Sequence, residues 1–120
     1  MVLTDKTAFA SDGTLAMTRT NNSYVDATSF ARMVARRKCG ILFLNGNLAV
    51  ANLPSNSTSI QIGTISGWNA TDPVYLDVPS QNGAGILYVN VSTSGVISIY
   101  NGSGSTINGF CRFQASVPAV

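Results

Sequence analysis

The sequence predicts an all-β fold, an antiparallel β-sandwich of jelly-roll type with about seven or eight short strands. Short apolar or alternating stretches recur along the chain and are separated by turns rich in Gly, Pro and Asn. One of these stretches, residues 86–100, alternates so regularly that the register of a β-hairpin follows from its side chains. No run of about 18 apolar residues occurs, so a transmembrane helix is not expected.

The composition favours a binding or structural protein over an enzyme. Charged residues make up 10% of the chain, whereas Asn, Ser and Thr together account for 36 of its 120 residues. Such a surface of neutral hydrogen-bonding groups suits an extracellular location or contact with neutral polar ligands. The chain has no His and no Glu, which removes the commonest general base and the commonest transition-metal ligand. We expect no cofactor, and a net charge of +2 does not indicate a nucleic-acid partner.

Residues 1–28 are polar and only weakly periodic, which predicts an N-terminal arm or linker with one or two short strands. Residues 29–120 are predicted to form the sandwich domain. The N-terminus lacks a charged segment followed by an apolar block, so no secretory signal is recognised. Residues 29–38, SFARMVARRK, fit a short helix or a strand. A strand is slightly favoured because the segment runs almost directly into the apolar residue Ile41.

Residues 41–50, ILFLNGNLAV, predict a tight hairpin. Asn45-Gly46 between apolar runs is the preferred sequence of a type I′ turn. A two-residue loop would pair Ile41 with Val50 and leave both faces of the hairpin apolar. This pattern predicts burial on two sides, either at the centre of a sandwich or at a subunit interface.

Three further strands are predicted from the pattern that follows. Residues 59–65 alternate with Ile60 and Ile62 facing inward, and Gly67 then turns the chain into a loop. Residues 74–78 form a short strand that ends at a proline, and residues 107–117 form the last strand.

Residues 86–100, ILYVNVSTSGVISIY, are predicted to form a hairpin with a three-residue loop that ends at a left-handed Gly95. That register places Val91 opposite Ile97 and Val89 opposite Ile99, which makes one face wholly apolar. The other face pairs Asn90 with Ser98 and Tyr88 with Tyr100. A two-residue loop would mix the two faces, so side-chain alternation favours the longer one.

Several smaller features have a structural and a functional interpretation. Cys39 and Cys111 fit small buried residues better than a disulfide. The basic residues Arg32, Arg36, Arg37 and Lys38 fit a solvated strand face, or one facing Asp partners across a subunit boundary, better than a phosphate or polyanion patch. Asp72 and Asp77 lack the spacing of a calcium loop, and Asp72 before Pro73 fits a turn cap.

Aromatic residues among neutral polar loops suggest a saccharide site. Trp68, with Asp72 and Asn69 close by, is one candidate, and the alternative is a tryptophan plug between the sheets. Tyr88 and Tyr100 pose the same choice between a ligand platform and a subunit contact. If a saccharide site exists, we expect these residues to form it: Trp68, Asp72, Tyr88, Tyr100 and Asn101.

Residues 34–117 resemble the C-terminal head domains of bacteriophage tail fibres and baseplate receptor-binding proteins. The motifs occur in order along the chain: ARRKCGILFLNGNLAV, IQIGTISGWNATDPVYLDVP, GILYVNVSTSGVISIY and INGFCRF. In that family an Arg-Pro pair often follows the loop aromatic, whereas here Asn69-Ala-Thr-Asp72-Pro73 follows Trp68. No role of that arginine is therefore transferred to this chain.

The resemblance implies a non-enzymatic β-sandwich head, usually trimeric, that attaches to host-surface polysaccharide. It also implies contacts with other tail or baseplate proteins and a virion location after assembly in the host cytoplasm. The alternative is a purely structural tail or decoration protein whose apolar faces and tyrosines are used in protein contacts. A polysaccharide-degrading domain is disfavoured because the chain lacks His and Glu.

Overall fold

The computed structural model describes residues 12–55, 58–80 and 85–120, which fold into two packed antiparallel sheets. The four-stranded sheet has the order β1-β3-β4-β9 and the five-stranded sheet has the order β2-β5-β8-β7-β6. This confirms the predicted all-β sandwich, with nine strands in the described residues. The elements are β1 Gly13–Leu15, β2 Met17–Arg19, α1 Ala27–Phe30, β3 Val34–Lys38, β4 Ile41–Leu53, β5 Ile60–Ile65, β6 Val74–Pro79, β7 Ile86–Val91, β8 Val96–Asn101 and β9 Ile107–Pro118.

The first two strands extend both sheets. β1 pairs with β3, and β2, one residue further along, pairs with β5 of the other sheet. The chain then turns at Asn22, whose Oδ1 accepts hydrogen bonds from the backbone N–H groups of Tyr24 (2.9 Å) and Val25 (2.8 Å). This is the local side-chain bonding that makes Asn a turn former. The division of the chain at residue 28 stays a prediction.

Residues 29–38 contain both of the predicted alternatives. Ser29 and Phe30 belong to α1, which begins after Asp26, and the Asp26 carboxylate accepts the Ser29 N–H at 2.7 Å as an N-cap. The strand prediction is therefore wrong for these two residues and correct for Val34–Lys38. Packing explains the helical turn, because Phe30 is buried against Gly63, where any Cβ would collide with its ring.

The predicted hairpin at Asn45-Gly46 is wrong, because β4 passes straight through this dipeptide. Its residues pair with β3 on one side and with β9 on the other, and Asn45 lies opposite both Val34 and Gln114. Gly46 lies opposite Phe113, whose ring occupies the space that a Cβ would take. The absence of a side chain at Gly46 thus makes room for the Phe113 ring. Hydrogen bonding of β4 to two neighbouring strands outweighs the local preference of Asn-Gly for a turn.

As one strand, β4 has a single fully buried face. Alternation as far as Val50 turns four apolar side chains into the core, and the opposite face carries half-buried residues and the exposed Asn45 and Ala51. The prediction of a second buried face depended on a hairpin at residues 41–50, and a single strand does not require it. The inward residues are Leu42, Leu44, Leu48 and Val50.

The predicted hairpin of residues 86–100 is confirmed in full. Val91 pairs with Ile97 and Tyr88 pairs with Tyr100, and the register in between is the expected one. Gly95 has a φ of 94°, the left-handed conformation that glycine adopts without strain. The Ser92 N–H donates to the Val96 carbonyl at 2.9 Å and closes the three-residue loop.

The core lies between the two sheets, and only one of the two cysteines belongs to it. Cys111 is buried, whereas Cys39 is exposed, so the prediction of two buried cysteines is wrong for Cys39. Cys39 has a φ of 51° and Gly40 follows it in the turn between β3 and β4, which holds Cys39 outside the sheets. Both cysteines are free thiols.

Candidate functional site

Trp68 lies inside the sandwich and offers no exposed ring face. Its side chain is fully buried, and its Nε1 has no hydrogen-bond partner among the described residues. The neighbouring hairpin fits around it, because a Cβ on Gly95 would lie 2.8 Å from the Trp68 Cβ. Trp68 therefore acts as a plug between the sheets, and a sugar ring has no access to it in this structure.

Asn101 is also fully buried, and its amide is saturated by hydrogen bonds. Nδ2 donates to the carbonyl oxygens of Leu53 (2.9 Å) and Ser105 (2.8 Å). Oδ1 accepts from the backbone N–H of Ser103 at 3.0 Å and from the hydroxyl group of the same residue. Asn101 thus ties the end of β8 to the end of β4 and shapes the loop after β8. It has no donor left for a ligand.

Asp72 is exposed but lies apart from the tyrosines. Its carboxylate accepts a hydrogen bond from the Thr71 hydroxyl at 2.9 Å, and the Thr71 N–H donates to the Pro118 carbonyl at 3.0 Å. Thr71 thus joins the loop before β6 to the end of β9 and also contacts the Asp72 carboxylate. The structure therefore gives Asp72 a local structural contact and does not bring it to Tyr88 or Tyr100.

Tyr88 and Tyr100 are the two predicted site residues that the structure brings into contact. They lie directly opposite each other on the outer face of the five-stranded sheet. Their ring centroids are 5.7 Å apart with an interplanar angle of 28°, and both side chains are half-buried. Because both residues are half-buried, part of each side chain remains at the surface.

The same face carries four further polar residues in two cross-strand rows. In one row Asp77 lies opposite Tyr88, and in the other Tyr75 lies opposite Asn90, which lies opposite Ser98. Tyr75 is 72% exposed. We call this surface the tyrosine face, and its residues are Tyr75, Asp77, Tyr88, Asn90, Ser98 and Tyr100.

Sequence reasoning missed Tyr75 as a site residue, although a signal was present. In VYLDVP, Val74 and Val78 are buried, and the residues between them alternate, which turns Tyr75 and Asp77 outward. The sequence does not show which strand pairs with residues 86–91. Only the pairing of β6 with β7 places Tyr75 next to Asn90.

A shallow groove of about 380 Å³ adjoins the second row. Tyr75 lines this groove together with five residues that carry small hydroxyl or amide side chains and three apolar residues. Hydroxyl and amide groups donate and accept hydrogen bonds without adding charge. The lining residues are Ser59, Pro73, Tyr75, Asn90, Val91, Ser92, Thr93, Val96 and Ser98.

The loop after β8 crosses beside the tyrosine pair at Gly102. A Cβ on Gly102 would lie 2.6 Å from the Tyr88 ring and 3.0 Å from the Tyr100 ring. The loop shaped by Asn101 therefore reaches the tyrosines only because residue 102 has no side chain. In this way the buried Asn101 contributes to the platform indirectly.

The outer face of the four-stranded sheet differs in charge. Arg36, Lys38 and Arg112 are exposed there, and the guanidinium carbon of Arg32 lies 5.7 Å from the centroid of the Phe110 ring, within the range of a cation–π contact. Arg37 alternates to the inner side of β3 and is buried. The basic stretch is therefore a solvated face at Arg36 and Lys38 but not at Arg37.

The titratable groups of the described residues form no metal centre. No group of three or more Cys, Asp, Glu or His side chains is placed to hold a metal ion in residues 12–55, 58–80 and 85–120. Burial raises the pKa of the Cys111 thiol from 9.0 to about 11, since desolvation disfavours the thiolate. In the same ranges no helix is long and apolar enough to cross a lipid bilayer.

Comparison with known proteins identifies a solved structure with a similar fold. No family model matches the chain, and no curated protein matches it significantly. Among solved structures, the chain is similar to the head domain of phage bIL170, described in work on a common fold for the receptor-binding domains of lactococcal phages. The two are 24% identical with a TM-score of 0.68, and the match covers 92% of this chain and all of that domain. The chain therefore shares the fold of that head domain.

Proposed function

We propose that this chain is the head domain of a phage receptor-binding protein and that its tyrosine face binds host-surface saccharide without cleaving it. The observation that carries this proposal is the paired rows of tyrosine and neutral polar side chains on one open sheet face. The likeness of fold to the bIL170 head domain supports the same role.

The chemistry of the tyrosine face suits a sugar. Aromatic ring faces pack against the C–H groups of a pyranose ring, and their hydroxyl groups remain available at the edge. Asn90 and Ser98 supply a neutral amide and a hydroxyl beside Tyr75, which lines the groove. Asp77, opposite Tyr88, adds a strong acceptor for sugar hydroxyl groups.

The proposal changes the residues that were expected to form the site. Tyr88 and Tyr100 are retained, and Tyr75, Asp77, Asn90 and Ser98 are added. Trp68 and Asn101 are assigned to the interior because both are fully buried. Asp72 is left outside the face.

We also propose that the domain works as a homotrimer in a phage tail, joined to other tail or baseplate proteins. In such an assembly three tyrosine faces are presented together, so individually weak saccharide contacts add through multivalency. The measurement is solution mass, and a monomer at micromolar concentration would contradict this part of the proposal.

The binding proposal is tested with a glycan array followed by calorimetric titration of host cell-wall polysaccharide. Tyr88→Ala is expected to weaken binding roughly fivefold, because a lost aromatic contact is worth about 1 kcal/mol. Phe110→Ala is the matched control, since Phe110 is a partly exposed aromatic on the four-stranded sheet. Equal losses in both variants, or no binding by the wild type, would contradict the proposal.

The alternative, a structural tail or decoration protein, is favoured by one observation. Tyr88 and Tyr100 are already half-buried and stacked, so a neighbouring subunit would cover them at little further cost. This alternative predicts that Tyr75, 72% exposed in the single chain, is shielded from tyrosine-modifying reagents in the oligomer. Tyrosines that stay reactive in the oligomer would favour the saccharide site.

A further inference from the structure

The strand β9, Ile107–Pro118, lies at one edge of the four-stranded sheet. Among the described residues it pairs with β4 on one side and with no strand on the other. Its 12 residues make it about twice as long as a typical strand. An edge strand presents a row of backbone N–H and C=O groups that can pair with a strand of another chain. The length of β9 therefore makes this edge a candidate for an added strand.

The hydrogen bonds between β4 and β9 determine which backbone groups of β9 face outward. The Ala119 N–H donates to the Gly40 carbonyl at 2.8 Å, one position beyond the last pair of the β4–β9 register. In an antiparallel ladder, residues bonded to the neighbouring strand alternate with residues whose N–H and C=O point away from it. The register is continuous from Gly109 to Pro118, so odd-numbered residues bond to β4 and even-numbered residues face the free edge. Pro118 agrees, since its carbonyl accepts the Thr71 N–H at 3.0 Å.

Four consecutive outward-facing residues form an open stretch of this edge. Their backbone N–H and C=O groups have no hydrogen-bond partner within the described part of the chain. Their side chains are exposed and lie on the outer face of the sheet. We call this stretch the β9 edge, and its residues are Phe110, Arg112, Gln114 and Ser116.

The other sheet edges have features that oppose strand addition. β1 and β2 are only three residues long, and β6 lies between Pro73 and Pro79. Short strands and prolines are the usual means by which proteins protect an edge. Residues 107–117 contain no proline, and their one charged residue is Arg112. Of the four edges in the described ranges, the β9 edge is therefore the one without this protection.

The charge of the outer sheet face indicates which partner fits. Arg36, Lys38 and Arg112 are exposed on this face, and β1, β3, β4 and β9 contain no acidic residue. Pairing of β9 with β9 of a second copy would join two cationic faces, and like charges on adjacent strands are destabilising. A strand with a carboxylate opposite Arg112 would instead form a cross-strand pair of opposite charge.

We infer that the β9 edge binds an extended acidic segment of another polypeptide as an added strand of the four-stranded sheet. In this mode of recognition, backbone hydrogen bonds supply affinity and alternate side chains supply specificity. Phe110 offers an apolar contact and Arg112 a charge for a carboxylate. The β9 edge belongs to the sheet that does not carry the tyrosine face, so the inference holds or fails independently of saccharide binding.

The test is titration of the full chain with a capped heptapeptide, Thr-Thr-Val-Asp-Val-Thr-Thr, followed by amide hydrogen exchange measured by nuclear magnetic resonance. The peptide reads the same in both directions, so parallel and antiparallel addition present the same side chains. We expect the amides of the β9 edge to exchange fast in the free chain and several-fold more slowly with the peptide. The odd-numbered amides between them are already bonded to β4 and should change little.

A second peptide with Lys in place of Asp tests the charge. It is expected to bind several-fold more weakly, because Arg112 then faces a like charge. Arg112→Gln should remove this preference for the acidic peptide. The alternating pattern of protection distinguishes strand addition from non-specific attraction between charges.

Gln114→Pro tests the backbone geometry. It removes an outward N–H and leaves the bonds to β4 intact, so the variant should fold and bind the acidic peptide at least about fivefold more weakly. Gln114→Ala is the matched control, since it keeps the N–H and should bind as the wild type does. Unfolding of Gln114→Pro would show that this N–H bonds to β4 and would overturn the inference, as would normal binding by the folded variant.

Two results with the wild type would also overturn the inference. One is exchange at the β9 edge that neither peptide changes or that both slow equally. The other is slow exchange without peptide that depends on protein concentration, which would mean that a second copy covers this edge.

Discussion

The loop around Trp68 and the tyrosine face carry similar side chains but present them in opposite ways. Trp68 is fully buried between the sheets, whereas Tyr75 on the outer face is 72% exposed. Both regions combine aromatic rings with Asp, Asn and Ser or Thr. Composition therefore does not distinguish a binding surface from a core plug. The difference comes from which side of the sheet each residue occupies.

Substitutions in these two regions are expected to affect different properties of the protein. Substitutions at the buried residues are expected to change the free energy of unfolding, and those on the tyrosine face are expected to change saccharide binding. The largest effects should come from the interior, because loss of a large buried side chain removes apolar contacts and leaves a cavity.

Trp68→Ala is expected to lower the free energy of unfolding by about 3–5 kcal/mol. Urea denaturation followed by circular dichroism measures this change. Trp68→Phe is the control, since it keeps most of the apolar volume and removes an Nε1 that has no described partner. Loss of saccharide affinity in a fully folded Trp68→Phe protein would contradict the assignment of Trp68 to the core.

Asn101→Ala is expected to lower the free energy of unfolding by about 2–3 kcal/mol, because buried backbone groups lose their partners. The affected groups include the Leu53 and Ser105 carbonyls. Hydrogen exchange should also show earlier opening of the loop after β8. If stability is unchanged and only saccharide binding is lost, Asn101 acts in the site and not in the interior.

The buried Cys111 predicts a pH dependence of stability. Its pKa is about 11 in the folded chain against an ordinary 9.0, so the folded state resists loss of the proton. The unfolding free energy should be unaffected below pH 9, fall by roughly 2–3 kcal/mol as pH rises from 9 to 11, and then level off. Cys111→Ala should remove this part of the alkaline loss, while an identical pH profile in the variant would contradict it.

Tyr75→Ala is expected to give the smallest change in stability, within about 0.5 kcal/mol, because the side chain is mostly exposed. Saccharide binding should nevertheless weaken several-fold, since Tyr75 lines the groove. Calorimetric titration measures the affinity, and Thr18→Ala, an exposed position on the edge strand β2, serves as a surface control. A large loss of stability in Tyr75→Ala would mean that this residue is buried in the assembled protein.

The hairpin of residues 86–100 could be predicted in detail because two local signals agree. Alternation separates Val89, Val91, Ile97 and Ile99 from the polar face, and a left-handed glycine ends the loop at the matching distance. Side-chain periodicity and turn geometry then allow only one register. The pairing of Tyr88 with Tyr100 follows from this register alone.

Asn45-Gly46 shows where local signals mislead. The dipeptide is a preferred hairpin turn, yet here it lies in the middle of a strand of 13 residues. The competing interaction is distant in sequence, because Phe113 packs over Gly46 from β9. The residues next to Gly46 in the sequence do not predict its contact with Phe113.

Local side-chain patterns predict the all-β sandwich, the position of most strands and the two faces of the last hairpin, because alternation with a period of two is a property of neighbouring residues. The tertiary structure decided which polar and aromatic residues reach solvent. Trp68 and Asn101 became interior and Tyr75 joined the tyrosine face through pairings between distant strands. It also buried Arg37, whose Nη2 donates to a carbonyl 30 positions away and whose Nε has no hydrogen-bond partner in the described part of the chain.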